Sequence, residues 1–213
     1  MTNLQELSDA IVAGHLEPAV ELTRRAIDEG VDPQSIISDY MIPAMQHIGQ
    51  RFQEGKAFVP ELLMAARAMK GALELIKPLL SSGKSATIGK IVIGTVYGDL
   101  HDIGKNLVAS MFEGCGFEVI NLGVNITADR FVEAVRTEQA DILCLSALLT
   151  TTMNYMKTVI EAIEQAGLRD RVKIMVGGAP VNQLFADQIG ADGYSDNANS
   201  AVLKAKELIA KSA

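Results

Sequence analysis

The sequence predicts an α/β protein in two parts, a helical bundle followed by a parallel sheet with helices on both faces. Three observations carry this. Before residue 80 the apolar residues recur at helical spacing; after residue 85 short β-branched runs alternate with amphipathic segments; between them lies the polar stretch Ser81-Ser82-Gly83-Lys84-Ser85. The domain boundary is therefore expected there, giving parts 1–84 and 85–213.

In the first part, Asp32 followed by Pro33 reads as an N-cap with a first-turn proline, and Ile36, Ile37, Tyr40, Met41, Met45 and Ile48 follow at helical spacing. Pro60 opens a second long helix with Leu62, Leu63, Ala66, Met69, Leu73, Ile76 and Leu79 along one stripe. Shorter amphipathic segments at 4–11 and 18–27 complete four helices joined by short connections, a small bundle. In the second part, strands are expected at 88–96, 117–121, 142–146 and 172–176, with a short one near Tyr194. Helices are expected at 104–115, 127–138, 153–166, 182–189 and 198–211. The strands are almost continuously apolar, which suits a sheet buried on both faces. Five such units form a doubly wound, flavodoxin-like sheet of order 2-1-3-4-5, with its ligand at the switch point above strands one and three.

Composition narrows the function. The chain has 213 residues, is 48% hydrophobic and carries a net charge of -7 with no basic cluster, which argues against nucleic acid as a partner. No apolar run approaches transmembrane length and the first residues lack a secretion signal, so no membrane partner and a cytoplasmic location are expected. Cys115 and Cys144 form no CxxC pair, and Cys144 falls inside a predicted strand as a core thiol. His15 and His47 read as helix-surface residues, and the methionines of the bundle as core or partner-surface filler.

The chemistry concentrates in the loop after the first strand, Gly98-Asp99-Leu100-His101-Asp102-Ile103-Gly104-Lys105-Asn106. A carboxylate two residues before a histidine can accept one ring N–H and leave the other nitrogen as a metal ligand. An ordinary packed histidine is the plain alternative. The loop is not a phosphate-binding P-loop, having one residue too many between its glycines and Asn106 where Ser or Thr should meet magnesium. His101-Asp102 also lacks the further histidines of metal phosphohydrolases. Two other strand ends stand out, Ser146 to Met153 after the third and Gly177-Gly178-Ala179-Pro180 after the fourth. Adjacent glycines there admit a close approach to the backbone, or simply turn the chain.

Together Asp99/His101/Gly104, Ser146/Leu148 and Gly177/Gly178 resemble the Asp-x-His-x-x-Gly, Ser-x-Leu and Gly-Gly pattern of the cobalamin-binding domain. That domain is shared by methionine synthase, corrinoid methyl carriers and cobalamin-dependent mutases. Upstream, Phe52 and Phe58-Val59-Pro60-Glu61-Leu62 resemble the helical cap preceding this domain in methionine synthase, a cap that mutases lack in this position. The chain is similar to the free-standing corrinoid proteins of anaerobic methyltransferase systems.

The resemblance implies cobalamin, or a related corrinoid, bound with its own base displaced and His101 as the lower axial ligand to cobalt. A relay of His101, Asp99 and Thr152 would tune that ligand, Thr152 standing where methionine synthase has a serine. Gly98, Asp102, Ile103, Gly104, Thr150 and Ala179 would be cofactor-binding residues. Ser146, Leu148, Gly177, Gly178, Gly193 and Tyr194 would line the slot for the nucleotide tail. Phe52, Val59 and Leu62 would shield the upper face, where an apolar lid excludes water; Val59 and Leu62 equally fit the bundle core. The implied function is a methyl carrier, not catalytic alone. Its partners would be a substrate:corrinoid methyltransferase, a second methyltransferase acting on tetrahydrofolate or a thiol, and an iron–sulfur reductive activator. A cobalamin-binding sensor and the small subunit of an adenosylcobalamin mutase are the other readings.

Overall fold

The computed structural model describes residues 2–80 and 87–211. The polar stretch 81–85, expected to mark the domain boundary, lies outside the described residues. The chain divides into two compact units, Met1–Ile88 with Ser110–Gly116, and Gly89–Ala109 with Phe117–Ala213.

The first unit is helical: α1 (Leu4–Val12), α2 (Leu16–Asp28), α3 (Pro33–Ile36), α4 (Ile42–Gln53) and α5 (Val59–Ile76). As expected, Asp32 caps α3, accepting the N–H of Ser35 at 2.9 Å, with Pro33 in the first turn. The expected helix through Ile48 is not a uniform α-helix, because residues Ile37–Met41 form a π-turn. Pro43 supplies the cause: it has no N–H for the carbonyl one turn back, and its ring would collide with that carbonyl. The wider turn relieves this, with the N–H of Ile42 reaching the carbonyl of Ile37. The displaced carbonyl of Tyr40 accepts the hydroxyl of Ser8, itself buried, at 3.0 Å. The helix expected from Pro18 begins at Leu16, and α5 ends at Ile76, short of Leu79, where a 3-10 turn carries Pro78. Helix α5 packs on α2, α4 and α1. Residues Ser110–Gly116 belong to this unit because Gly114 leaves no room for a side chain against Ala66, and Glu113 pairs with Lys70 at 2.8 Å.

The second unit alternates β1 (Lys90–Thr95), α6 (Ile103–Gly114, of which the residues from Ser110 belong to the first unit), β2 (Glu118–Asn121), α7 (Ala128–Glu138), β3 (Ile142–Ser146), α8 (Thr150–Met153), α9 (Tyr155–Gln165), β4 (Lys173–Gly177), α10 (Gln183–Gln188), β5 (Gly193–Ser195) and α11 (Ala198–Ala210). All pairings are parallel and the order is β2-β1-β3-β4-β5, as the alternation predicted. The helix expected at 153–166 begins earlier and breaks at Asn154, so that a four-residue turn, α8, precedes α9. β1 is shorter than the apolar run that announced it. Phe131, Val92, Leu143, Ile174 and Met156 are among the buried side chains between the sheet and its α7/α9 face. The register places Thr95, Ser146, Gly177 and Ser195 in one row at the carboxyl ends of four adjacent strands. No described helix is long and apolar enough to cross a membrane.

Candidate corrinoid-binding site

The three loops that follow β1, β3 and β4 rise from that row. Asp99, in the first, is fully buried, whereas the His101 side chain is 52% exposed. On Asp99, Oδ1 accepts the backbone N–H of His101 at 3.1 Å and meets ring Nδ1 at 3.0 Å. Its Oδ2 accepts the N–H groups of Leu148 (2.8 Å) and Leu149 (3.3 Å) and the Thr152 hydroxyl (2.7 Å). Burial pushes the Asp99 carboxyl up, but the bonds from Leu148, Thr152 and both His101 groups outweigh it and hold the carboxyl well below its ordinary value. Asp99 is therefore a carboxylate, which only accepts. Nδ1 of His101 therefore carries a proton, and in the neutral ring Nε2 is the lone-pair nitrogen. Among the described residues Nε2 has no hydrogen-bond partner.

The backbone of the loop is tied down as firmly. The buried Thr95 hydroxyl donates to the carbonyl of His101 at 2.9 Å. Gly98, at φ +82°, donates its N–H to Oδ1 of Asn125 at 2.8 Å. Asp102 opens α6, its carbonyl taking the N–H of Asn106 at 2.7 Å and its carboxylate the Asn106 amide at 2.9 Å. Lys105 is buried with its ammonium on Oδ1 of Asn106 (2.6 Å) and Asn121 (2.8 Å). Burial lowers its pKa, opposed by the charge of Asp102. Thr95, Lys105, Asn121 and Asn125 were not singled out from the sequence; a buried lysine or threonine has no local signature, since its burial comes from strands distant in the chain.

The remaining expected residues fall into different settings. Leu100, Ile103, Leu148 and Thr150 are exposed on the loop tips and Gly104 has open space around it, so this rim offers apolar surface around His101. Ser146 and Tyr194 are half-buried at the strand ends, and Ala179 is exposed. Gly178, at φ +127°, is required by the fold itself: a Cβ there would overlap the carbonyl oxygen of Ala147. Gly177 runs beside the carbonyl of Ser195, and Gly193 gives way to Lys204 and Leu208 of α11. In the helical unit, Leu62 is fully buried, Phe52 half-buried and Val59 39% exposed. Phe58, at 67% exposure the more accessible aromatic of that segment, was quoted in the sequence motif but not singled out as a site residue. Cys144 is buried, and burial raises its thiol pKa.

These features fit a corrinoid. One imidazole cannot hold a bare metal ion, but it can complete the coordination of an ion already ringed by a macrocycle, as a proximal histidine does for haem iron. A free Nε2, a carboxylate fixing the tautomer and exposed Leu100, Ile103 and Leu148 beside it supply a ligand and an apolar seat.

Comparison with known proteins agrees. Residues 89–203 match the B12 binding domain family, and residues 4–77 match a second B12 binding domain family. The dimethylamine corrinoid protein of Methanosarcina barkeri is 45% identical over 97% of both chains. Corrinoid protein DSY3155 of Desulfitobacterium hafniense is 41% identical over 99% of both. Among solved structures, a cobalamin-binding protein from Desulfitobacterium hafniense superposes with a TM-score of 0.82 at 30% identity, covering 98% of this chain and 99% of that one. A chain of the methanol:cobalamin methyltransferase complex from Methanosarcina barkeri gives 0.84 at 33% identity, covering 97% and 79%. With relatives this similar over 97% or more of its length, and two B12 binding domain families matched, the chain belongs to the corrinoid proteins with B12 binding domains.

Proposed function

We propose that this protein carries a methyl group on the cobalt of a corrinoid, held from below by His101, between two methyltransferases. The observation that carries the reading is the hydrogen-bonded chain from Thr152 through the buried Asp99 to His101, at 2.7 and 3.0 Å, which ends in an Nε2 that has no partner among the described residues. When bound, the corrinoid supplies a cobalt centre able to accept and release a methyl group. This chain's residues do the rest. Asp99 holds the Nδ1 proton, raises the basicity of Nε2 and fixes the ring; Thr152 and the Leu148 N–H keep Asp99 ionised. Exposed Leu100, Ile103 and Leu148 would seat the bound group and exclude water from it, and Ser146 and Tyr194, half-buried at the strand ends, would meet its displaced nucleotide tail. Of the three cap residues that the resemblance implies, Phe52 and Val59 keep exposed surface, whereas Leu62 is buried.

The relatives named for dimethylamine support a methylated amine as the ultimate donor, delivered by a substrate:corrinoid methyltransferase. The second partner would be a methyltransferase acting on tetrahydrofolate or a thiol, with an iron–sulfur protein restoring oxidised cofactor. The chain acts as the carrier in such a system and not as a catalyst alone.

The test is spectroscopic. Loaded with the cobalt(II) form of cobalamin, the protein should show electron-paramagnetic splitting from one axial nitrogen, and incorporation of heavy-nitrogen histidine should change a three-line pattern into a two-line one. A pattern indifferent to histidine labelling removes His101 as the ligand.

A further inference from the structure

Asn125 has a conformation that its place in the chain does not account for. It lies in the loop between β2 and α7 with φ +58°, the left-handed region that L-residues disfavour and Asn tolerates better than most. Among the described residues one other non-glycine shares it, Gln139, and there the cause is local, because Gln139 closes α7 by donating its N–H to Val135. No helix ends at Asn125.

What Asn125 does is hold two adjacent residues of the His101 loop, Gly98 by its N–H and Asp99 by its carbonyl. Its N–H donates to the carbonyl of Asp99 at 3.0 Å, and its side-chain Oδ1 accepts the N–H of Gly98 at 2.8 Å. Beside this contact the two loops are zipped by Thr95 N–H to Gly123 (3.0 Å) and Ile126 N–H to Thr95 (3.0 Å). Asp99 is thus gripped from two sides, its carboxylate by the β3–α8 loop and its backbone by Asn125. The left-handed turn is what lets one residue present both its N–H and its amide oxygen to the same stretch. Without the amide oxygen the Gly98 N–H loses its partner, and Asn125 holds the loop that carries Asp99 and His101 only through its own N–H.

We propose that Asn125 is a positioning residue for His101, a clamp that sets the direction in which Nε2 meets a bound corrinoid. The proposal rests on the axial-ligand reading above. Three substitutions separate acceptor from backbone. Asn125→Asp keeps an acceptor oxygen and tolerates the left-handed turn; Asn125→Gly keeps the turn and loses the acceptor; Asn125→Ala loses both. Each is loaded with cobalt(II) cobalamin, and the bound cofactor carrying histidine splitting is measured against the bound cofactor lacking it. Asn125→Gly and Asn125→Ala should lower that ratio about fivefold, the scale of one lost hydrogen bond, with Asn125→Asp close to the parent. A parent-like ratio in Asn125→Gly overturns the clamp, as does an equal fall in Asn125→Asp.

A second measurement needs no cofactor. Amide exchange at Gly98 in the apo protein should be about fivefold faster in Asn125→Gly, with exchange at Val92 in β1 unchanged. Equal Gly98 rates overturn the proposal; so does faster exchange at both sites, which marks a merely structural role. Absence of histidine splitting in the parent overturns the axial-ligand reading and this proposal with it, whereas splitting in the parent with a parent-like Asn125→Gly overturns the clamp alone.

Discussion

In the helical unit, charged side chains stay at the surface and pair there, as Glu54 does with Lys56 at 2.7 Å and Gln50 at 2.9 Å. In the sheet unit, Asp99 and Lys105 are buried and their partners come from β2, the β3–α8 loop and α6. The difference teaches where chemistry becomes readable. An exposed ion pair contributes on the order of 0.5 kcal/mol and constrains little. A buried carboxylate is tolerated only when every oxygen is satisfied, so its neighbours are fixed in identity and direction. The helical unit therefore declares its core and conceals its working surface, while the rim of the sheet declares a site.

The largest effect that would sharpen this comparison is in the helical unit. Leu62→Ala should cost roughly 3 kcal/mol of stability as a core deletion, measured by urea unfolding, while Val59→Ala should cost less than about 1 kcal/mol. Similar costs for the two would mean that burial does not separate core from surface on α5. Next comes Asp99→Asn, which turns an amide NH2 towards donors that need an acceptor. It should cost roughly 2 kcal/mol and abolish histidine splitting in the loaded protein; parent-like stability would show that the carboxylate is not the hub of the loop.

The smallest effect concerns pH. Asp99 titrates well below its ordinary value in the folded chain, so the stability it contributes is present above about pH 4, its unfolded range, and is lost as pH falls towards the folded value. The parent should accordingly lose stability more steeply than Asp99→Asn below about pH 4. Parallel curves would place the ionised form of Asp99 outside the forces that hold the fold.

Much of the site was legible because its residues lie close in sequence. Asp99, His101 and Gly104 share one loop, and the strand–loop–helix pattern around them places that loop at a sheet edge. Thr152 entered through the family pattern, and the 2.7 Å bond to Asp99 gives it a physical role. The glycines were legible only in part, for a physical reason. A glycine announces that something passes close without saying what, and at Gly178 it is the carbonyl of Ala147, at Gly193 the side chains of α11. The π-turn at Ile37–Met41 was missed because Pro43 is compatible with a helix start, and only the continuous helix around it turns the proline into an obstacle.

By itself the amino-acid order determined the element types, the sheet order and the histidine-bearing loop, since periodicity and turn chemistry act over a few residues. Tertiary structure alone decided that Leu62 turns inward while Phe58 stays exposed, that Lys105 is buried on two amide oxygens, and that Asn125 adopts a left-handed turn against Gly98. Those outcomes depend on partners brought together from separate strands, and no local pattern records which distant group will fill a given space.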